Sequence, residues 1–279
     1  MNLENTINKA SQILKNHNIH SHELDAQIIL SDIMGIKREF LITNNEINIS
    51  KKVIEKYDNA IKRRIKREPV AYIIGKKEFW SQNFRVNYST LIPRPESELL
   101  VYKLINCFKN KRINILDIGT GSGCILLSLL KELHLSRGTG IDISSEAART
   151  AQLNSKKLNL FYRSKFKVVG IDDFNIGRFD LIVSNPPYVA LKDIKNLSKD
   201  ILNFEPLIAL KGVFDGLDLT EKVIYKSKYL LKTNGLLGIE VGTNQYLQVS
   251  NVLKKNGFRE VSKEYDCNSN VRCIISTKT

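Results

Sequence analysis

The sequence predicts an α/β fold, a doubly wound and mostly parallel sheet of seven strands that follows a small bundle of helices. Two observations predict it. Apolar residues recur at helical spacing through residues 1 to 67, a stretch with almost no strand signal. From about residue 96 onward, short apolar strands alternate with helical segments, which favours a parallel sheet with helices on both faces.

The composition excludes several classes of protein. The chain of 279 residues has a formal net charge of +14, and 42% of its residues are apolar, which is typical of a folded globular protein. Its start lacks the basic and then apolar pattern of a signal peptide, and no stretch reaches the roughly 18 apolar residues of a membrane span. We therefore expect a cytoplasmic protein. Four scattered cysteines predict neither disulfides nor a metal site.

The first predicted domain is a helical bundle over residues 1–69. Its three helices cover a segment from Leu3, a second segment that runs up to Gly35, and a third from about Ser50 to Arg67. The third must end before Pro69, because the residue preceding a proline is pushed out of helical geometry. The basic cluster at residues 62–67 is a candidate patch for an acidic partner surface.

Two further segments follow the bundle. Residues 70–94 are predicted to form a β-hairpin linker, because short alternating apolar and aromatic runs are broken by Gly75 and Asn83. Residues 95–279 form the third domain, a Rossmann-like sheet. A helix at 96–108 precedes the strands, which are predicted near 113–118, up to 142, and near 165–169, 180–183, 236–241, 258–261 and 272–276.

A glycine-rich turn follows the first strand of this sheet, and it reads Asp-Ile-Gly-Thr-Gly-Ser-Gly-Cys from Asp117 to Cys124. Glycines let the backbone approach a ligand closely while amides at a helix N-terminus face it. A pyrophosphate fingerprint needs glycine at position 124, so Cys124 disfavours a dinucleotide. Asp142 closes the second strand roughly 20 residues after Gly123, the spacing expected of a carboxylate that holds ribose hydroxyls.

An acidic pair, Asp172 and Asp173, follows the third strand, and a carboxylate there can accept a hydrogen bond from an adenine amino group. Ordinary loop chemistry also explains an Asp-Asp pair. The candidate cofactor-binding residues are Asp117, Gly119, Thr120, Gly121, Ser122, Gly123, Asp142, Asp172, Asp173 and Asn185.

The most informative motif is Asn185-Pro186-Pro187-Tyr188, which a buried strand delivers to the carboxyl edge of the sheet. The prolines hold Asn185 and Pro186 in extended conformations and bring no N–H groups. The Asn185 side-chain oxygen and the Pro186 carbonyl thus form a rigid pair of acceptors beside an aromatic ring. Such a pair suits a planar –NH2 group, whose nitrogen needs alignment more than a general base.

These features together resemble those of class I S-adenosylmethionine-dependent N-methyltransferases. The run Leu-Ile-Pro-Arg-Pro-Glu-Ser-Glu at 91–98 is similar to that of the PrmC/HemK family, the glutamine N5-methyltransferases of peptide chain release factors. Further similarity lies in Glu-Pro-Val-Ala-Tyr-Ile-Ile-Gly at 68–75, Phe-Glu-Pro at 204–206, and Glu-Val-Gly at 240–242 with Gln245.

The resemblance implies methyl transfer from S-adenosylmethionine, which leaves S-adenosylhomocysteine, to the glutamine amide in the Gly-Gly-Gln loop of class 1 release factors. The turn at 119–123 would hold the methionine part of the cofactor, Asp142 the ribose, and Asp172 with Asp173 the adenine end. Asn185 and the Pro186-Pro187-Tyr188 run would bind the glutamine amide, with Asn185, Pro186 and Tyr188 as catalytic residues. We expect a monomer that needs neither nucleic acid nor a membrane.

Three alternatives remain open at this point. A DNA or RNA amino-methyltransferase of the adenine N6 type can use the same acceptor pair, and the chain is basic, but no nucleic-acid-binding module is recognisable. Cys124 disfavours a nicotinamide-dependent oxidoreductase. A non-catalytic nucleic-acid adaptor is disfavoured by the complete set of site residues.

Overall fold

The computed structural model describes residues 2–44, 46–212 and 215–278. The chain divides into two compact units. Met1–Lys76 and Ser198–Phe204 form the first, called here the N-terminal unit; Lys77–Leu197 and Glu205–Thr279 form the second, called the sheet unit. The three-part division at residues 69 and 94 stays a prediction.

Five helices build the main part of the N-terminal unit. They are α1 (Leu3–Asn16), α2 (His22–Met34), α3 (Arg38–Thr43), α4 (Lys51–Ile65) and α5 (Val70–Ile74). The side chain of Ser50 caps α4 by accepting a hydrogen bond from the Val53 amide, as serine commonly does at a helix start. Buried side chains of α1, α2 and α4, among them Leu14, Ile29 and Tyr57, form the core of this unit.

Helix α5 contradicts the prediction that the hairpin begins at Val70. Pro69, with φ −57°, starts a helical turn, and Gly75, with φ +72°, ends it in the left-handed conformation that glycine adopts without strain. The alternation of apolar residues over Val70–Ile74 therefore does not mark a strand, because a single helical turn is too short to show a helical period. The hairpin itself is confirmed, and consists of β1 (Lys76–Phe79) and β2 (Gln82–Arg85).

The sheet unit alternates strands and helices as predicted. Its elements after the hairpin are α6 (Ser97–Phe108), β3 (Asn114–Ile118), α7 (Cys124–Glu132), β4 (Arg137–Asp142), α8 (Ser145–Lys157), β5 (Ser164–Val168), β6 (Phe179–Ser184), α10 (Asp218–Leu230), β7 (Leu231–Glu240), α11 (Tyr246–Lys255), β8 (Phe258–Tyr265) and β9 (Val271–Lys278). Between β6 and α10 lie two 3-10 helices, Leu191–Asn196 and Leu207–Ala209, and the short helix α9 (Lys199–Phe204), which belongs to the N-terminal unit.

The seven strands lie in the order β5-β4-β3-β6-β7-β9-β8. All neighbouring pairs from β5 to β7 are parallel, and β9 runs antiparallel to both β7 and β8. The two largest apolar clusters of the unit draw on different helices: α6 and α7 supply one, and α10 and α11 supply the other. This arrangement confirms the predicted Rossmann-like sheet with helices on both faces.

Within the described ranges, no helix combines the length and the apolar character needed to cross a membrane.

Three of the five basic residues at 62–67 form ion pairs or hydrogen bonds inside the N-terminal unit. Arg64 is only 5% exposed, and its guanidinium contacts Asp25 and Asp200, each at 2.7 Å. Arg63 pairs with Glu68, and Arg67 donates to two backbone carbonyls at the end of α1. Most of the positive charge that suggested a docking patch therefore holds the unit together.

We expect Arg64→Ala to destabilise the N-terminal unit. The substitution leaves the buried Asp25 carboxylate without its cation, and breaking such a pair costs about 3 kcal/mol or more. Amide hydrogen exchange should report this loss in α1, α2 and α4. Lys62→Ala, at an exposed position of the same helix, serves as the control and should change the free energy of unfolding by less than about 0.5 kcal/mol. Equal protection in the two variants would contradict the structural role of Arg64.

Candidate active site

The carboxyl edge of three neighbouring strands brings the predicted site residues together. Ile118, the last residue of β3, is paired with Ile141 of β4 on one side and with Ser184 of β6 on the other. The glycine turn, Asp142 and Asn185 are the next residues along these three strands. Parallel pairing alone therefore places them side by side, at the edge where such sheets bind ligands.

A cleft of about 890 Å³, a volume that includes open solvent, lies at this edge. Six of the predicted residues line it, namely Gly119, Gly121, Asp142, Asn185, Pro186 and Pro187. Apolar residues from other loops and from α10 line it as well, among them Ile143, Val169, Ile171, Leu219 and Val223. The cleft is thus mostly apolar with a few converging polar groups, which is the usual character of a small-molecule site.

The glycines of the turn have two different tasks. Gly119 and Gly121 adopt φ values of +72° and +54°, and a Cβ at either would meet no atom within 4 Å. They therefore leave open space on the cleft side. Gly123 also has a positive φ, but a Cβ there would come within 3.1 Å of the Ala151 Cβ on α8. Its lack of a side chain allows close packing, so only the first two glycines are suited to contact a ligand.

Asp117, Thr120 and Ser122, which were also predicted to bind the cofactor, are buried and do not line the cleft. Asp117 is 1% exposed, and its Oδ2 accepts a hydrogen bond of 2.7 Å from the Thr120 hydroxyl. Burial raises the pKa of Asp117 to about 7, against the opposing effect of Thr120. Ser122 is buried as well, and its carbonyl accepts from Asn154 of α8. These hydrogen bonds fix the shape of the turn, and a pKa of about 7 leaves the Asp117 carboxyl partly protonated near neutral pH.

Asp142 holds the turn from the neighbouring strand while it faces the cleft. Its two carboxylate oxygens accept from the Gly121 and Ser144 amides, both at 2.9 Å. Burial raises the pKa of Asp142, and these two hydrogen bonds lower it. Each oxygen keeps a further lone pair, so the carboxylate can still accept from hydroxyl groups of a ligand.

The acidic pair after β5 lies elsewhere. Asp172 and Asp173 are exposed, and the Asp172 carboxylate forms an ion pair of 2.9 Å with Lys222 of α10. The backbone beside them turns Ile171 into the cleft instead. The sequence singles out the polar residues of this loop, whereas the residues near it that line the cleft are the apolar Ile143, Val169 and Ile171. The available signal was the position of Ile143 and Val169, each directly after the end of a strand at the carboxyl edge.

The Asn185-Pro186-Pro187-Tyr188 loop is held by groups that the sequence did not single out. Asn185 Nδ2 donates to Ser97 Oγ at 3.2 Å, and the Ser97 hydroxyl donates to the carboxylate of Glu240 at the end of β7. Tyr188 donates through its hydroxyl to the other oxygen of Glu240 at 3.3 Å. Ser97 and Glu240 lie within motifs of the predicted family, but no role could be assigned to them from the sequence.

Glu240 is 0% exposed, so its charge depends on these neighbours. Arg272 of β9 lies 3.7 Å from Glu240 Oε1 and also donates to the Tyr188 hydroxyl at 3.1 Å. Burial raises the pKa of Glu240, while Ser97, Arg272 and Tyr188 lower it. Burial and the nearby carboxylate raise the pKa of Tyr188 to about 12, so its hydroxyl stays neutral.

Arg94, in the Pro-Arg-Pro run, has a structural contact. Its guanidinium lies 2.6 Å from Glu205 Oε1, and the second oxygen of Glu205 accepts from the Ile92 amide at 3.2 Å. Glu205 is buried, so the pair fastens residues 92–94 to the segment that leads into the cleft at Ile208.

Two family models match the sequence. Residues 5–75 match the model described as PrmC N-terminal domain, and residues 95–204 match the one described as Methyltransferase small domain. Among solved structures, a methyltransferase from Pyrococcus furiosus aligns with a TM-score of 0.54 at 17% identity, over 79% of this chain and 98% of that one. This likeness shows the shared fold alone.

Two curated relatives match over the full length. The release factor glutamine methyltransferase of Buchnera aphidicola subsp. Schizaphis graminum is 39% identical over 100% of both chains. The protein of the same name from Clostridium acetobutylicum is 35% identical over 100% of this chain and 99% of its own. Identity at this level, over both units and the site loops, shows that the chain belongs to the family of release factor glutamine methyltransferases.

Proposed function

We propose that the protein transfers a methyl group from S-adenosylmethionine to the side-chain amide nitrogen, N5, of the glutamine in the Gly-Gly-Gln loop of class 1 peptide chain release factors. The observation that carries the proposal is the acceptor pair of Asn185 and Pro186, which opens on the same cleft as the glycine turn. The names of the curated relatives support the choice of substrate.

The residues that line the cleft suit the three parts of S-adenosylmethionine. The space beside Gly119 and Gly121 suits the methionine part, and Asp142 can accept from the ribose hydroxyls. We propose that the adenine ring packs among Ile143, Val169 and Ile171, in place of the contact with Asp172 and Asp173 expected from the sequence. When bound, the cofactor supplies an electrophilic methyl group on a positively charged sulfur.

The acceptor pair prepares the nucleophile. An amide nitrogen is a poor nucleophile because its lone pair is delocalised into the carbonyl. Two oxygens that accept hydrogen bonds from both N–H groups fix the plane of the amide and raise the electron density on its nitrogen. An amide held in this way would take up the methyl group that the bound cofactor would supply, the electron pair of the carbon–sulfur bond would stay on sulfur, and one N–H proton would pass to the water of the open cleft. Alignment of this kind supplies roughly 7–11 kcal/mol of a barrier.

The remaining expectations stay predictions that belong to this proposal. They are a cytoplasmic location, a monomeric state, and activity that does not require nucleic acid.

The proposal is tested by incubating the full chain with S-adenosylmethionine labelled in its methyl group and either a class 1 release factor or duplex DNA, followed by mass spectrometry of the acceptor. We expect one methyl group on the glutamine of the Gly-Gly-Gln loop. A methylated adenine together with an unmodified glutamine would instead establish the nucleic-acid alternative.

We expect Asn185→Ala to lower the rate of methyl transfer by about a hundredfold or more, since one half of the preorganised acceptor pair is lost. Cofactor affinity, measured by calorimetry, should change little, because the turn and Asp142 are untouched. Asn83→Ala, at an exposed position of β2, is the matched control and should keep full activity. Normal turnover of Asn185→Ala would rule out the acceptor role of this side chain.

Cofactor binding should also depend on pH through Asp117. Its pKa of about 7 means that the free protein holds a proton there below that pH. A cationic ligand favours the carboxylate, so binding should release this proton, and affinity should weaken by up to about tenfold per unit as the pH falls below 7.

Calorimetry at about pH 6 in two buffers of different ionisation enthalpy measures the released proton directly. Asp117→Asn cannot titrate at this position and should remove the release. If the variant and the natural protein release the same number of protons, another group is responsible for the pH dependence.

A further inference from the structure

We propose that Ser97 and Glu240 are positioning residues that fix the Asn185 amide with its oxygen towards the substrate. This inference rests on the proposed function, because it concerns how the same acceptor pair receives an –NH2 group. It assigns a task to two buried polar residues that do not line the cleft.

The first step is the direction of the hydrogen bond between Ser97 and Glu240. Glu240 is completely buried, which raises the pKa of its carboxyl group. The hydroxyls of Ser97 and Tyr188 and the Arg272 guanidinium, 3.7 Å away, act against burial and favour the ionised form. A carboxylate can only accept hydrogen bonds. The contact between Ser97 Oγ and Glu240 Oε2 must therefore use the hydroxyl proton of Ser97.

The second step follows from the single proton of a hydroxyl group. With that proton given to Glu240, Ser97 Oγ can only accept from its other neighbour, which is the Asn185 side chain at 3.2 Å. Asn185 must then present its –NH2 end to Ser97. Its Oδ1 is left for the cleft, which Asn185 lines.

The consequence is that the Asn185 amide can present only its oxygen, an acceptor, to the substrate. An asparagine amide turned the other way would place its own –NH2 against the –NH2 of the substrate, and two donors facing each other lose a hydrogen bond and repel. A neutral partner in place of Glu240 could donate to Ser97 and so permit the wrong orientation. A buried carboxylate excludes it, because it has no proton to donate.

The fold holds rigid the chain of hydrogen bonds from Asn185 through Ser97 to Glu240, called here the relay. Asn185 follows β6 directly, Glu240 ends β7, and the two strands are paired through Ser184 and Ile239. Ser97 is the first residue of α6 and is 2% exposed. The second oxygen of Glu240 accepts from Tyr188, so one carboxylate orders both ends of the loop.

The test is steady-state kinetics of the full chain with a release factor as substrate. Ser97→Ala should lower kcat on the order of tenfold to a hundredfold, by analogy with residues that orient the ligands of a metal site. Ser97→Thr keeps the hydroxyl and should recover most of that loss. The KM for S-adenosylmethionine should stay near its natural value in both variants, because Ser97 does not line the cleft.

A double-mutant cycle separates the relay from general damage to folding. Ser97→Ala and Glu240→Gln interrupt the same chain of hydrogen bonds, so the double variant should be no slower than the slower single variant. Independent structural effects would instead multiply. Ser128→Ala is the matched control, a serine of α7 that is 0% exposed, and it should leave kcat unchanged.

Two results would overturn the relay. One is a Ser97→Ala variant with natural kcat on the glutamine substrate, and the other is a Ser97→Thr variant as slow as Ser97→Ala. Failure of the natural protein to methylate glutamine in the same assay would overturn the proposed function itself, and the relay with it.

Discussion

Backbone hydrogen bonds hold β3 between β4 and β6, and the positions of the glycine turn, Asp142 and Asn185 depend on that pairing. Because the three strands are parallel and in register at Ile118, Ile141 and Ser184, their following residues emerge at one edge. The turn is tied to this edge again, since the amides of residues 119 and 120 both donate to the Ile141 carbonyl. A shift of β6 by one residue would reverse the faces of its side chains and move Asn185 out of the cleft.

The sequence predicts the positions of those site residues that lie next to the end of a strand. The glycine turn and Asn185 each follow a strand directly and Asp142 ends one, so strand prediction and the rule for carboxyl edges are enough to bring them together. The contact between Ser97 and Glu240 joins residues 143 positions apart, and no local pattern encodes it. The role expected of Asp172 and Asp173 stays a prediction, although neither lines the cleft, because a single sequence shows which residues are polar but not which side of a loop faces the cleft.

The positive charge of the chain illustrates the same limit. A run of six residues with five basic ones suggested a surface patch, yet helical periodicity turns Arg64 inward while Lys62 stays exposed. Inside the unit, Arg64 is compensated by Asp25 and Asp200, which come from a helix near the start of the chain and from α9. Such a pair contributes little net stability compared with apolar packing, but it cannot be broken on one side without a large penalty.

The acceptor pair selects for an –NH2 group without distinguishing one carrier of that group from another. A glutamine amide and an adenine amino group both offer two N–H bonds in a plane, so an oriented Asn185 would accept either. Discrimination must therefore come from residues other than the acceptor pair, and Ile208, which lines the cleft and is 61% exposed, is accessible to an entering group. Among the described residues that line the cleft, none is a lysine, an arginine or an aromatic residue, so these residues supply neither the cationic groups that neutralise phosphates nor a stacking platform for bases.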